Sequence, residues 1–277
     1  MGKHEQHSAS EDAPLTGATE GGPDAALDPR VRAEIDRVLP AGGPVGLLGG
    51  INAVSQSVED ELAAAGYALT RHAGETRYET AAGIADVART QMPGGTAAEV
   101  ILAYGNDWPD AVTVGAYAAA TGTPIVLTPT DQLHPASATI LQDAQRTLVI
   151  GGTGVISEAV AQSTPNPTRV AGSNRMATAV AVATTLWPEV LDGPVIDVVV
   201  TNIERPDGWA LTLASAPLSA RNGAPQVGVA VDRYPDETRA YLQGLDPVAQ
   251  TAFIIGSTEY ISDPTAADIA DDVGAPP

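Results

Sequence analysis

An internal repeat is the feature that most constrains this chain. Residues Arg71–Ala81 return as Arg169–Ala179, an offset of 169 − 71 = 98 residues. A second block, Gly49–Ser55, returns as Gly151–Ser157 and again, more divergent, as Gly256–Ser262, at offsets of 102 (151 − 49) and 105 (256 − 151). Self-similarity at fixed spacing means that one structural unit is used more than once. A period of roughly a hundred residues is too long for a solenoid turn and suits a small α/β module.

The repeat predicts how the chain is divided. Residues 31–70 form a leading half repeat, one βα unit that packs on the modules. Residues 71–168 form the first module, and residues 169–277 form a second, degenerate one. Residues 1–30 have almost no large apolar side chains and are expected to be a disordered polar tail. They contain no apolar h-region, so the tail either begins a cytoplasmic protein or belongs to a mature secreted form or lipoprotein whose signal is absent from this sequence.

Short apolar runs separated by helical stretches of ten to fifteen residues indicate the fold class. Runs of this length between helices are typical of βαβ crossovers and of a mostly parallel sheet. We therefore predict an α/β protein built from tandem Rossmann-like βα modules, pseudo-symmetric because the unit repeats. The clearest predicted strands are Val45–Leu48, Val100–Tyr104, Pro124–Leu127, Val198–Thr201 and Phe253–Ile255.

Composition restricts the function classes. The net charge of −20 argues against nucleic acid, because binding it needs cations that displace phosphate counterions. The chain has no cysteine, which excludes disulfides and thiolate metal sites. Aromatic residues make up only 4% of the chain, so its core must be aliphatic, as in parallel sheets covered by helices.

Paired arginines are the first candidate binding residues. Arg71 and Arg77 of one unit correspond to Arg169 and Arg175 of the next, and Tyr78 follows Arg77. Each pair brackets an Ala-Gly bend between a predicted strand and a predicted helix. Free N–H groups at a helix start, a glycine and a guanidinium together favour anion binding. The alternative is that these arginines bridge carboxylates between modules, and the acidic chain supplies many such partners.

An acidic loop is the second candidate. Asn106, Asp107, Trp108 and Asp110 follow a predicted strand, at the edge where open α/β sheets bind ligands. Two carboxylates, an amide and an indole suit a sugar, or Ca²⁺ through oxygen ligands. The plainer interpretation is that Asp110 caps the next helix and Trp108 fills the module. Trp209, 101 residues after Trp108, marks the related loop of the second unit.

Motifs for enzymatic chemistry are weak. Gly152 and Gly154 after a strand match only part of a dinucleotide fingerprint, since Ser157 stands in place of the third glycine. The sequence contains no phosphate-loop lysine, no nucleophile elbow and no histidine pair at metal-ligand spacing. We therefore predict no catalytic residues, no metal and no cofactor.

Four blocks in a fixed order carry a resemblance to a known family. They are Ala73–Ala81, Asn106–Ala111, Pro124–Thr128 and the Gly-Gly blocks, and together they cover residues 45–262. In these blocks the chain resembles the cell wall-binding repeat 2 family. That resemblance implies Rossmann-type modules, commonly three around a pseudo-threefold axis, on surface or secreted proteins, some of which are held to anionic wall polymers. This chain differs in having two units and a half, and in Met176 where the first unit has a tyrosine.

The resemblance implies a non-catalytic cell-envelope binding protein that holds an anionic wall polymer or a partner protein. Two alternatives stay open: an accessory subunit that stabilises a membrane-bound envelope enzyme, and a nucleotide- or sugar-binding enzyme on a Rossmann-like scaffold. Membrane contact is expected only through an N-terminal tether. Self-association or a hetero-complex is expected at the place of the missing third module.

Overall fold

The computed structural model describes residues 25–91, 98–245 and 251–273. Nine strands lie in these ranges: β1 (Pro44–Leu48), β2 (Ala68–His72), β3 (Glu99–Tyr104), β4 (Ile125–Thr128), β5 (Arg146–Ile150), β6 (Pro167–Val170), β7 (Asp197–Asn202), β8 (Gln226–Val229) and β9 (Thr251–Ile254). Most of the predicted tail, residues 1–24, lies outside the described residues.

Eleven α-helices alternate with these strands in the same ranges: α1 (Pro29–Val38), α2 (Gln56–Ala64), α3 (Arg77–Gln91), α4 (Pro109–Thr113), α5 (Gly115–Thr121), α6 (Pro135–Leu141), α7 (Glu158–Gln162), α8 (Arg175–Thr185), α9 (Gly208–Asn222), α10 (Asp236–Gln243) and α11 (Asp263–Asp272). A 3₁₀ turn, Trp187–Glu189, follows α8. Within the described part of the chain no helix is both long and apolar enough to cross a membrane.

The described strands form three sheets, and every strand pairing is parallel. The first sheet has the order β1-β2, the middle sheet β4-β3-β5-β6 and the third sheet β8-β7-β9. This confirms the predicted α/β class with tandem, mostly parallel modules. Between β3 and β4 the chain forms two short helices, α4 and α5, which meet at Val114.

Equivalent turns identify equivalent strands. Gly49, Gly151 and Gly256 come at the ends of β1, β5 and β9, with φ of 108°, 107° and 121°. Glycine is required there because other residues rarely adopt positive φ. Thus β1, β5 and β9 are copies of one strand. The predicted boundaries at 70/71 and 168/169 lie inside β2 and β6, so the first and middle sheets each contain a strand that crosses a boundary, whereas β7, β8 and β9 of the third sheet all lie in the second module.

Crossing helices connect the sheets. Helix α3 follows β2 of the first sheet but packs on β4 and α6 of the middle one, and α8 follows β6 but packs on β8 of the third. The middle and third sheets share the largest core, which includes Ile101, Leu148 and Val200. The other face of the middle sheet packs Val100 and Leu102 under α3 and α6. The first sheet has a separate core under α1 and α2.

Candidate binding site

A cleft of about 280 Å³ lies at the carboxyl ends of β3, β5 and β6 in the middle sheet. Three loops from both sequence units form it. The lining residues are Tyr104, Asp107, Pro109 and Asp110 from the end of β3 onward, Gly152, Gly154 and Val155 after β5, and Gly172, Ser173, Asn174, Arg175 and Thr178 after β6. This is the edge where open parallel sheets bind ligands. We call this space the cleft.

Asp110 lies against the glycine turn after β5. A Cβ atom at Gly151 would stand only 2.5 Å from the Asp110 Oδ2 atom, so the carboxylate approaches the turn as closely as a glycine permits. The N-cap residue of α4 is Trp108, and no side chain caps that helix end. Among the described residues the structure gives the Asp110 carboxylate no hydrogen-bond donor. Burial raises the pKa of Asp110, the Arg175 charge opposes this, and the Asp107 charge adds to it.

Arg175 is the cationic residue among the described lining side chains, and it is already engaged. Its Nη1 donates to the Ile203 carbonyl at 3.1 Å, and its Nη2 lies 3.6 Å from Asp107 Oδ2. The guanidinium carbon stands 6.0 Å from the ring centroid of Trp108. Trp108 itself packs on Met176 and Ile203, so the indole fills space between the middle and third sheets. The structure agrees with the packing interpretation of Trp108.

Arg77 repeats the arrangement of Arg175 in the first unit. Its Nη1 donates to the Gly105 carbonyl at 2.8 Å, and Gly105 precedes Ile203 by the same 98 residues that separate the two arginines (203 − 105). The Tyr78 hydroxyl donates to Asn106 Oδ1 at 2.6 Å. Arg77, Tyr78 and Asn106 therefore connect the first sheet to the loop after β3 and do not line the cleft.

Arg71 and Arg169 hold the glycine turns. Arg71 Nη1 donates to the Gly49 carbonyl at 2.8 Å, and Nη2 donates to Glu59 at 2.7 Å. Arg169 repeats both bonds, with Nη1 2.8 Å from the Gly151 carbonyl and Nη2 3.1 Å from Glu158. These contacts fit the alternative of bridges between modules for this pair of arginines, because Gly49 and Glu59 precede the predicted boundary at 70/71 and Gly151 and Glu158 precede that at 168/169.

The third sheet carries a different set at the corresponding edge. Arg205 forms an ion pair with Asp207 at 2.8 Å, and the Tyr260 hydroxyl donates to Asp207 at 3.0 Å. The offset of 98 residues places Pro206, not Trp209, at the position of Trp108. The match of the two tryptophans was therefore wrong: Trp209 lies on α9 with 48% of its surface exposed.

The cleft suits binding. Sequence reasoning placed Asp107, Asp110 and Arg175 at this edge but missed Ser173 and Thr178. These two residues reach the cleft only because β6 pairs with β5. No group of three or more His, Cys, Asp or Glu side chains that could hold a metal occurs in the described ranges. What the cleft offers is two carboxylates, one engaged guanidinium and the backbone of a glycine turn.

Comparison with known proteins identifies the class. Residues 71–161 and 169–266 match the cell wall binding domain 2 (CWB2) family, and the chain belongs to it. This confirms the resemblance inferred from the four blocks. The two matches begin at the paired-arginine blocks, so the family unit starts inside β2 and inside β6.

Individual relatives agree with that assignment. The chain is 38% identical over 131 residues to the N-acetylmuramoyl-L-alanine amidase LytC of Bacillus subtilis, a match spanning 47% of this chain and 25% of LytC. Its fold is similar to Cwp8 of Clostridium difficile, with a TM-score of 0.80 and 23% identity over 96% of this chain and 44% of Cwp8. The fold is also similar to that of Cwp6 of the same organism, with a TM-score of 0.82 and 22% identity over 97% of this chain and 41% of Cwp6. The chain thus spans a quarter to under half of these proteins.

Proposed function

We propose that this protein is a non-catalytic component of the bacterial cell envelope that binds a wall polymer through the cleft. The observation that carries the proposal is the position of the cleft, at the ligand-binding edge of a sheet shared by two CWB2 units. A ligand that spans both units contacts groups from each. The site of action is accordingly outside the cytoplasmic membrane. A lipid tether would concern residues 1–24, outside the described residues.

The cleft side chains support binding without catalysis. The Asp107 Oδ2 atom lies 3.6 Å from Arg175 Nη2, and the Asp107 side chain is half exposed. This carboxylate therefore already has a cationic partner. Asp110 is the other carboxylate among the described lining residues. Because Asp107 already faces Arg175, Asp110 has no free acid or base beside it in that set. A glycosidase needs one free carboxyl as acid and another as nucleophile or base. Incubation with purified wall is therefore expected to release no reducing ends or peptide amines.

Pelleting with purified bacterial wall tests the proposal. A Cβ atom at Gly154 meets nothing within 4 Å, so Gly154→Tyr adds bulk to the cleft without a backbone clash. Gly193 is equally open but lies in an exposed loop before β7, which makes Gly193→Tyr the matched control. We expect the wild-type protein and the control to sediment with wall and the Gly154 variant to remain in solution. Sedimentation of all three, or of none, would reject binding through the cleft.

An exposed edge favours a partner protein as a second candidate. Leu48 and Ile51 at the end of β1 are 45% and 54% exposed, whereas Ile150, which corresponds to Leu48 in β5, is fully buried. Among the described strands, β1 pairs only with β2. Exposed apolar groups beside an unpaired strand edge are typical of protein interfaces. Cross-linking from a cysteine placed at Ile51 in living cells tests this: capture of one defined envelope protein supports it, and labelling of wall material alone contradicts it.

A further inference from the structure

The cleft carries a net negative charge that its own side chains do not neutralise. Of the described residues that line it, Asp107 and Asp110 are acidic and Arg175 is basic. The guanidinium faces Asp107, donates to the Ile203 carbonyl and stands over Trp108. Asp110 keeps a half-buried carboxylate that accepts no hydrogen bond from any described residue. A partly buried carboxylate without a hydrogen-bond donor is unfavourable, so Asp110 lacks a donor even though the Arg175 charge lies near enough to oppose the rise in its pKa.

The other polar side chains of the cleft do not supply that donor. Asn174 Nδ2 donates to Glu237 at 2.7 Å, while its Oδ1 accepts from the Ala177 amide at 2.9 Å. Thr178 Oγ1 accepts from the Gly172 amide at 3.1 Å. These contacts fix the loop after β6, and the structure shows no hydrogen bond from the hydroxyls of Tyr104, Ser173 or Thr178 to Asp110. A ligand can therefore supply the donor that Asp110 lacks.

We propose that the cleft binds a primary ammonium group of the wall polymer, with Asp110 as its acceptor. An ammonium offers three donors and a full positive charge to a carboxylate that accepts no hydrogen bond and whose nearby cation, Arg175, already faces Asp107. The cleft volume of about 280 Å³ admits one sugar-sized group, since it falls just below the usual range of roughly 300–1,000 Å³ for ligand pockets. The inference rests on the proposed function and specifies its ligand chemistry.

The charge of the whole protein supports an ammonium over an anionic group. A chain of net charge −20 repels phosphate and uronate groups, and the cleft adds a local excess of one negative charge. A wall polymer that carries amines as well as anions binds through the amines. Two sources present the same chemistry: an amino sugar that is not N-acetylated, and an amino acid attached by its carboxyl group.

Monomeric probes test whether the cleft binds an ammonium group, and they avoid the nonspecific attraction between a polycation and an acidic protein. Backbone amide shifts of residues 151–155 and 172–175 are followed by NMR during titration with D-glucosamine, N-acetyl-D-glucosamine and D-alanine methyl ester. We expect saturable shifts with glucosamine or the alanine ester, and at least tenfold weaker binding of the N-acetylated sugar. Saturation by glucosamine alone or by the ester alone identifies the source. Equal binding of the acetylated sugar, or no cleft shifts with any amine, would overturn the proposal.

Two charge-matched variants complete the test. Asp110→Asn removes the acceptor and keeps the shape, whereas Asp192→Asn removes an exposed carboxylate in the loop before β7. We expect glucosamine binding to weaken at least tenfold in Asp110→Asn and to stay unchanged in Asp192→Asn. The amide spectrum of Asp110→Asn should otherwise remain that of the folded protein. Wall pelleting separates the two proposals. If Gly154→Tyr abolishes pelleting and Asp110→Asn does not, the ammonium assignment is wrong and wall binding stands. If amines bind the cleft but the wild-type protein does not pellet, only wall binding is wrong.

Discussion

The first and middle sheets contain copies of the same strand, yet the copies differ in burial. β1 and β5 both end in a glycine turn with φ near 107°, and in both an arginine from the next strand donates to that glycine carbonyl. In the middle sheet β5 pairs with β3 and β6, and the side chains from Thr147 to Ile150 are buried. In the first sheet β1 pairs with β2 alone, and Leu48 is 45% exposed.

The comparison separates what one unit encodes from what two units make together. The turn and the arginine contacts are local, so every copy of the block repeats them. The cleft requires the loops after β3 and β5 from one unit beside the loop after β6 from the next. We therefore regard binding as a property of the junction between units.

Shortening the equivalent apolar side chains of β5 and β1 should give the largest difference. Ile150→Ala removes a fully buried side chain and is expected to lower the free energy of unfolding by about 2–5 kcal/mol. Leu48→Ala acts on an exposed side chain and should cost about 0.5 kcal/mol or less. Urea denaturation of both variants measures the difference. Equal losses would mean that β1 is covered in solution.

Alanine at the two glycine turns should give a smaller difference. Both positions have positive φ, which a non-glycine residue adopts at a cost of about 1–3 kcal/mol. A Cβ atom at Gly151 also lies within 2.6 Å of both Asp110 and Val155, whereas at Gly49 it meets Ala53 at 2.8 Å. We expect Gly151→Ala to lose more stability, together with wall binding. Gly50→Ala, where a Cβ atom meets nothing within 4 Å and which lies outside the cleft, is the control and should behave as wild type.

The pH dependence of Asp110 should give the smallest effect. Burial raises its pKa in the folded protein, with Asp107 and Arg175 as the charges that face it. The ionised carboxylate is then destabilising, so Asp110→Asn should be slightly more stable than wild type at pH 7. As the pH falls through the raised pKa towards the unfolded value of about 3.9, wild type gains stability and the difference shrinks. A variant that is less stable than wild type at pH 7 would contradict the assignment of Asp110 as a carboxylate without a donor.

Much of the fold follows from sequence because its determinants are local. Asn174 caps α8 by accepting from the Ala177 amide, as the sequence pattern indicates. Glu79 likewise accepts from the Thr76 amide, three residues before it, at the start of α3. The alternation of apolar runs and helices predicted the parallel sheets in the same way.

The candidate site was less predictable because it depends on pairing between distant segments. Asp107 and Asp110 were recognised from their position after β3, but nothing in the sequence shows that β5 and β6 join that strand. Ser173 and Gly154 therefore could not be assigned to the same cleft. The spacing of Trp108 and Trp209 was misleading. The two tryptophans lie 101 residues apart, whereas the equivalent arginine contacts lie 98 residues apart, so Trp209 falls three residues beyond the position equivalent to Trp108 (101 − 98).

Hydrogen exchange on the two copies of the glycine block tests the central claim most directly. Peptides covering Gly49–Ser55 and Gly151–Ser157 have nearly the same turn and differ in whether the loops of a second unit enclose them. With saturating soluble wall fragments, we predict slower exchange in Gly151–Ser157 and unchanged exchange in Gly49–Ser55. Equal protection of both segments, or protection of Gly49–Ser55 alone, would show that the junction of the two units is not the binding site.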